Sequence, residues 1–246
     1  MGQKKFNIPT LDGLNLHVTL WKPDHKPKAA IVFVHGLGEH TGRFENWFDY
    51  FIQQNYAVMA YDLRGHGKSE GKRGYCPRYE SLLDDLEIIL TKAGDFFPGL
   101  PIFLYGHSFG GNQVLNFALK KDIKWIKGLI LTAPWLIVSK KIPARKLFFA
   151  KIISFFSQSF TRPLGIMLDQ ISHDKNIVQQ YKDDPLIHDR VSAGLFLSTS
   201  KAGVFAMNHS DDLKIPGIIL HGKDDHITSY HASERCAAKS EKLTLK

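Results

Sequence analysis

The sequence predicts an α/β fold with a mostly parallel central sheet flanked by helices. Two observations lead to it. Short apolar runs recur at 31–35, 57–62, 102–105, 128–132 and 217–221, and a run apolar at every position suits a strand buried on both faces. Between them lie longer stretches with helical spacing, at 44–54, 79–97 and 109–120. Strand and helix therefore alternate, as in a chain of βαβ units.

The elements follow in order. Residues 14–21 make an early strand after the Asp12-Gly13 turn, and 31–35 starts the buried sheet. Helix 44–54 leads to strand 57–62, helix 79–97 to strand 102–105, and helix 109–120 to strand 128–132. After Pro134 the rhythm changes: strand signals vanish until about Phe205 and helix-like segments dominate. Residues 145–156 carry a wide apolar arc of Leu147, Phe148, Phe149, Ile152, Ile153, Phe155 and Phe156. An insertion there sits over the carboxyl edge of the sheet, where open α/β sheets bind ligands. The expected organisation is a core of residues 1–133 and 206–246 with a helical cap, or lid, at 134–205. The arc is expected to pack on the body and to line the site with its apolar face.

With 246 residues, 43% of them hydrophobic and 23% charged, the chain can bury a large core in one domain. No apolar run approaches the ~20 residues of a membrane span. Residues 1–10 carry no apolar signal region, and Phe6 stands where a myristoylation motif at Gly2 needs Ser or Thr. Cys76 and Cys236 match no metal or redox spacing, so a reduced cytoplasmic setting is expected. A net charge of +8 suits nucleic acid, an anionic membrane or plain solubility. Zinc-finger and RNP-like patterns are absent, and part of the excess lies between Lys140 and Lys151 beside apolar residues. The expectation is therefore transient membrane-surface contact through the cap, and no nucleic-acid partner.

Gly106-His107-Ser108-Phe109-Gly110 reads G-x-S-x-G between a strand and a helix. Glycines flank the serine because the turn is too tight for nearby Cβ atoms, and the turn lifts the hydroxyl above the sheet at a helix N-terminus. Ser108 is the expected nucleophile. The two oxyanion donors are expected to be the N–H of Phe109, directly after it, and that of Leu37 in His35-Gly36-Leu37-Gly38. The acid and histidine of such a site follow the serine in that order. Asp224 and Asp225 stand after the strand ending at His221. His226 adjoins Asp225 and is expected to be unable to reach Ser108 with that acid behind it; His231 is expected to point elsewhere from a helix. The segment Leu243-Thr244-Leu245-Lys246 reads as the start of one more strand. The expectation is a C-terminally incomplete copy of a longer enzyme that carries the histidine beyond Lys246. Gly67-Lys68-Ser69 is no phosphate loop, since Asp62 holds the place of its first glycine, and Gly36-Leu37-Gly38 fails as a dinucleotide fingerprint because Thr41 holds the last. No cofactor and no metal are expected.

Three stretches together resemble the monoglyceride lipase and lysophospholipase branch of the α/β-hydrolases: 35–43 (HGLGEHTGR), 62–71 (DLRGHGKSEG) and 99–111 through the serine motif. Residues 221–225 and 243–246 match its late part, and the resemblance runs from about Pro9 to the end, weakest over the cap. It implies an α/β-hydrolase fold with an eight-stranded sheet and a helical cap. It implies cleavage of a monoacyl ester, monoacylglycerol or lysophospholipid, into fatty acid and alcohol. The resemblance selects Asp225 as the acid and places the histidine roughly seven residues past Lys246. It also places Glu39 and Arg43 near the polar end of the substrate pocket, or as an ion pair under the oxyanion loop. Gly36 and His107 join them as expected substrate-side residues, His107 as a donor under the elbow rather than a base. The alternatives are a short-chain carboxylesterase and a catalytically incomplete ligand-binding homologue.

Overall fold

The computed structural model describes residues 2–140, 142–165 and 170–246. The described residues form strands β1 (Gly2–Pro9), β2 (Asn15–Lys22), β3 (Ala30–Val34), β4 (Ala57–Tyr61), β5 (Ile102–His107), β6 (Ile126–Thr132), β7 (Thr161–Pro163), β8 (Arg190–Ser192), β9 (Gly217–Leu220) and β10 (Leu243–Leu245). Between them run helices α1 (Glu45–Gln53), α2 (Tyr79–Phe96), α3 (Phe109–Lys120), α4 (Ala144–Phe156), α5 (Lys175–Asp183), α6 (Ala193–Asn208) and α7 (Tyr230–Lys239). One sheet takes the order β1-β2-β4-β3-β5-β6-β9-β10. β1 and β2 pair antiparallel, β2 is antiparallel to β4, and the remaining pairings are parallel.

Strand β3 shows why the sheet is buried on both faces. Its side chains alternate, and every one is buried. Ala30, Val32 and Val34 join a core with Leu86 and Ile89 of α2 and Phe109 of α3. Ile31 and Phe33 join the opposite core with Phe48 and Ile52 of α1. Phe33 packs edge-on against Phe48 and Tyr105, with ring centroids 5.1 and 5.0 Å apart. Each such aromatic or aliphatic side chain contributes about 1.5–3 kcal/mol when fully buried. The register of β3 and β5 then brings Val34 opposite Gly106, placing the start of the 35–38 loop beside the serine turn.

The expected strands and helices appear within a few residues of their expected ends, and the sheet gains an edge. β1 has apolar side chains only at Phe6, Ile8 and Pro9 beside two lysines, so its pattern is too weak to mark a strand. Pairing with β2 over its whole length holds it.

The long connection from β6 to β9 differs from expectation in two ways. Strands do occur in it: β7 and β8 pair antiparallel over three residues, too short to leave a periodic trace. The arc at 145–156 forms α4, but the arc is not core. No residue of α4 is buried, and Phe148, Phe149, Phe155 and Phe156 are 62, 61, 79 and 81% exposed. The apolar positions circle too much of the helix for one contact with α6 to cover them. Helix α6 crosses the expected boundary at 205/206 and is bonded to the body: Asn112 Nδ2 donates to Thr199 O at 3.2 Å and Asn116 Nδ2 to Ala202 O at 3.1 Å. No helix among the described residues is long and apolar enough to cross a membrane.

Candidate active site

Ser108 sits between β5 and α3 with φ 50° and ψ −112°. A non-glycine residue held there costs on the order of 1–3 kcal/mol, so its surroundings must over-determine it. Its N–H donates to Thr132 O at 2.8 Å, and its carbonyl accepts from Asn112 N at 3.0 Å and Trp135 N at 2.9 Å. The flanking glycines are steric necessities. A Cβ on Gly106 would lie 2.5 Å from Gly110 O, and one on Gly110 would fall onto the carbonyl oxygens of Val34 and His35. The serine is thus raised on a turn that fits only because strand and helix backbones touch.

The loop after β3 faces it. Gly36 N–H donates to Glu39 Oε1 at 2.7 Å. Leu63 N–H donates to His35 Nε2 at 2.9 Å, which puts the ring proton on Nδ1, and Nδ1–H donates to Gly36 O at 2.7 Å. In a planar trans peptide the N–H points opposite to the C=O. The bond to Gly36 O therefore turns the Leu37 N–H away from His35. Among the described residues this N–H donates to no other group. Phe109 is the first residue of α3, so its N–H has no acceptor within the helix. A Cβ on Gly36 would come within 3.3 Å of Ser108 Cβ, a measure of how close loop and elbow lie.

Asp225 lies in the turn after β9. Its Oδ1 accepts from Ile227 N at 2.7 Å and Thr228 N at 2.9 Å, and its Oδ2 accepts from the Thr228 hydroxyl at 2.9 Å. Its Oδ2 also faces His221 Nε2 at 3.2 Å. Burial works against the charged carboxylate, but the bonds from His221, Thr228 and Ile227 outweigh it and hold the pKa at about 2. Asp224 is exposed. His221 was not singled out from sequence as Asp225's partner. It is buried, with Nδ1 2.8 Å from Ser233 Oγ, and it braces the Asp225 turn from below. Its place at the end of an apolar strand, four residues before the acid, was the available signal. Among the described residues no imidazole hydrogen-bonds to Ser108. His226, set aside from sequence, lines the same cleft as Ser108 but bonds to neither it nor Asp225. His231 lies on α7 and pairs with Glu234 at 3.2 Å, away from the cleft.

The remaining expected residues cluster on the other side of the loop. Glu39 pairs with Arg43, Oε2 to Nε 3.4 Å, and Arg43 lies 4.6 Å over the Tyr181 ring. His107 Nδ1 is 2.9 Å from Thr132 Oγ1, and its Nε2 is 3.9 Å from Glu39 Oε1. Two hollows flank the centre. One of about 200 Å³ is lined by Ser108, Leu37, Trp135, Val138, Leu164 and Phe196 among others. Another of about 500 Å³ is lined by Glu39, Arg43, His107 and Tyr181 among others.

This geometry has known counterparts. Residues 25–246 match the family model described as serine aminopeptidase, S33. The chain belongs to the S33 serine aminopeptidase family. Human monoglyceride lipase is 30% identical to it, over 98% of this chain and 80% of that protein. An uncharacterised abhydrolase-domain-containing protein of Dictyostelium discoideum is 35% identical over 93% of this chain, which spans only 24% of that longer protein. The crystal structure of Paleococcus ferrophilus monoacylglycerol lipase superposes with a TM-score of 0.82 at 28% identity, covering 100% of this chain and 88% of the other. This S33 chain thus has the α/β-hydrolase fold and resembles monoglyceride lipases, as the motifs at 35–43, 62–71 and 99–111 implied.

Proposed function

We propose that this chain hydrolyses carboxylic esters of single-chain lipids, monoacylglycerols or lysophospholipids, through an acyl-enzyme on Ser108. The observation that carries the reading is a strained serine opening into an apolar cleft beside a loop whose Leu37 N–H is left unclaimed. Relatives named monoglyceride lipase and phospholipase support the substrate class. In the first step Ser108 Oγ attacks the ester carbonyl and gives its proton to a base; the family resemblance gives that role to a histidine oriented by Asp225, and none of the imidazoles among the described residues hydrogen-bonds to Ser108. The Leu37 and Phe109 N–H groups hold the oxyanion, each worth about 3–4 kcal/mol by analogy with measured donors. As the C–O bond breaks, the base returns that proton to the leaving oxygen and the neutral alcohol departs; water then gives a proton to the same base and attacks the acyl-enzyme, and Ser108 Oγ takes the proton back as the fatty acid leaves. Glu39 keeps the loop in place through Gly36. Arg43 and His107 face the polar hollow, which suits a glycerol or phosphate head group.

Segment 134–205 acts as the cap in this reading, with α6 tying its end to the body. The exposed phenylalanines of α4, beside Arg145, Lys146 and Lys151, form an apolar face with a cationic rim. Such a surface suits peripheral contact with an anionic membrane.

The test is a series of monoacylglycerols and p-nitrophenyl esters from two to eighteen carbons. The reading expects kcat/KM to rise toward long acyl chains. A maximum at two to four carbons would instead indicate a short-chain carboxylesterase, and binding without turnover a ligand-binding homologue.

A further inference from the structure

The oxyanion loop is gripped from two sides, and only one grip belongs to the core. His35 holds Gly36 O from β3's end. The other comes from the stretch between α5 and β8, where His188 N–H donates to Gly38 O at 2.8 Å. The approach is tight: Gly38 has φ +81°, and a Cβ there would fall onto His188 O. Beside this contact lies a hollow of about 390 Å³ that Leu37 and His188 both line. The two segments are therefore joined by discrete bonds rather than by continuous packing.

The His188 ring fixes its own backbone. Arg190 N–H donates to Nδ1 at 3.2 Å, so the proton sits on Nε2, which donates to Gly65 O at 3.2 Å. The ring lies 4.6 Å from that of His66, which in turn lies 5.4 Å from His35. His66 Nδ1–H donates to Arg64 O at 2.9 Å, leaving its Nε2 buried and without a partner among the described residues. Three imidazoles thus run from the inserted segment to the loop, each with one neutral tautomer dictated by its partners.

We propose that His188 is a positioning residue for the oxyanion loop, latching the α5–β8 segment onto Gly38 and so keeping the Leu37 N–H turned toward Ser108. The proposal rests on the reading of Leu37 N–H as an oxyanion donor. It makes the donor's aim depend on where the inserted segment sits: if that segment lifts away, Gly38 O loses its partner while Gly36 O keeps one. Charge on the latch works against it. Arg73, His66 and His35 face the His188 ring, Asp189 adjoins it, and Asp184, paired with His40 at 2.7 Å, lines the same hollow; burial first and Arg73 second bring the pKa of His188 down to about 4. A protonated Nδ1 could no longer accept the Arg190 N–H.

The test is ¹H–¹⁵N spectroscopy of the whole chain, which requires no turnover. In His188→Leu the amides of Leu37 and Gly38 should shift beyond line width, together with the direct partners Gly65 and Arg190. His188→Gln, neutral and able to donate to Gly65 O, should return Leu37 and Gly38 most of the way. Shifts at Gly65 and Arg190 that leave Leu37 and Gly38 unmoved overturn the proposal. Should His188→Leu not fold, the unmodified protein decides: on acidification Leu37 and Gly38 amides should move together with His188 Cε1–H, and a His188 titration they ignore overturns it. With turnover, His188→Leu should lose about tenfold in kcat with KM nearly unchanged, a fraction of the 10²–10³ lost with a whole oxyanion donor. A failed ester assay beside the expected shifts counts against the proposed reaction and not against the latch.

Discussion

Replacing Asp225 by Asn keeps the side chain's shape and removes its charge. The carboxylate accepts three hydrogen bonds from Ile227 and Thr228 and faces the buried His221. An amide can still offer one oxygen to the two N–H groups, but it turns an NH₂ on the Thr228 hydroxyl or on His221. The magnitude follows from the pKa, held from an ordinary 3.8 down to about 2 with the side chain only 19% exposed. At about 1.4 kcal/mol per pH unit, the charged form gains about 2 kcal/mol from the fold. The folded pKa lies below the unfolded one. The contribution is therefore complete above about pH 4 and is lost as pH falls through about 2. Urea unfolding at pH 7 should show Asp225→Asn about 2 kcal/mol less stable, with Tm lower by about 4–8 °C for a chain of this size. The gap between the two proteins should close as pH falls from 4 to 2. Equal stability at pH 7, or a deficit that stays constant down to pH 2, would refute the reasoning.

Three other perturbations are as direct. Arg64 bonds Asp85 through Nε at 2.7 Å and Nη2 at 2.8 Å, and Asp12 through Nη1 at 2.8 Å, with Arg64 and Asp85 both buried. Arg64→Ala strands a carboxyl whose pKa burial already raises, and should cost about 3–5 kcal/mol by urea titration; adding Asp85→Leu should recover part of it. Phe155→Ser with Phe156→Ser should leave Tm within about 1 °C, because both rings are exposed, and should weaken sedimentation with anionic vesicles several-fold. Cys76 and Cys236 are buried with thiols pushed up by that burial to about 12 and 11, so neither should react with a thiol reagent at pH 7.5 until the chain unfolds.

How far the sequence reveals this molecule depends on how locally each feature is encoded. The buried strands are legible because both faces are covered, so the run at Ala30–Val34 is apolar throughout. The serine turn is legible because its glycines answer clashes between atoms a few residues apart, Gly106 against Gly110 above all. β1 is hidden because an edge strand needs few apolar residues. The exposure of α4 is hidden because composition gives an apolar helix but not the size of the surface available to cover it. The links around the 35–38 loop are hidden for another reason. His188 and Gly38 stand 150 residues apart and meet through backbone atoms, which no side-chain pattern records. His226 shows what chain distance leaves out: the turn brings it to the rim of the cleft, where it bonds to neither Ser108 nor Asp225.

The central claim is that Ser108 is the nucleophile. The most direct measurement is intact mass after incubation of the protein with a fluorophosphonate, followed by peptide mapping, beside Ser108→Ala treated alike. The account predicts one phosphonyl group per chain, on the peptide containing Ser108, and none on the variant. Equal labelling of Ser108→Ala, or a folded protein that stays unlabelled, would contradict it.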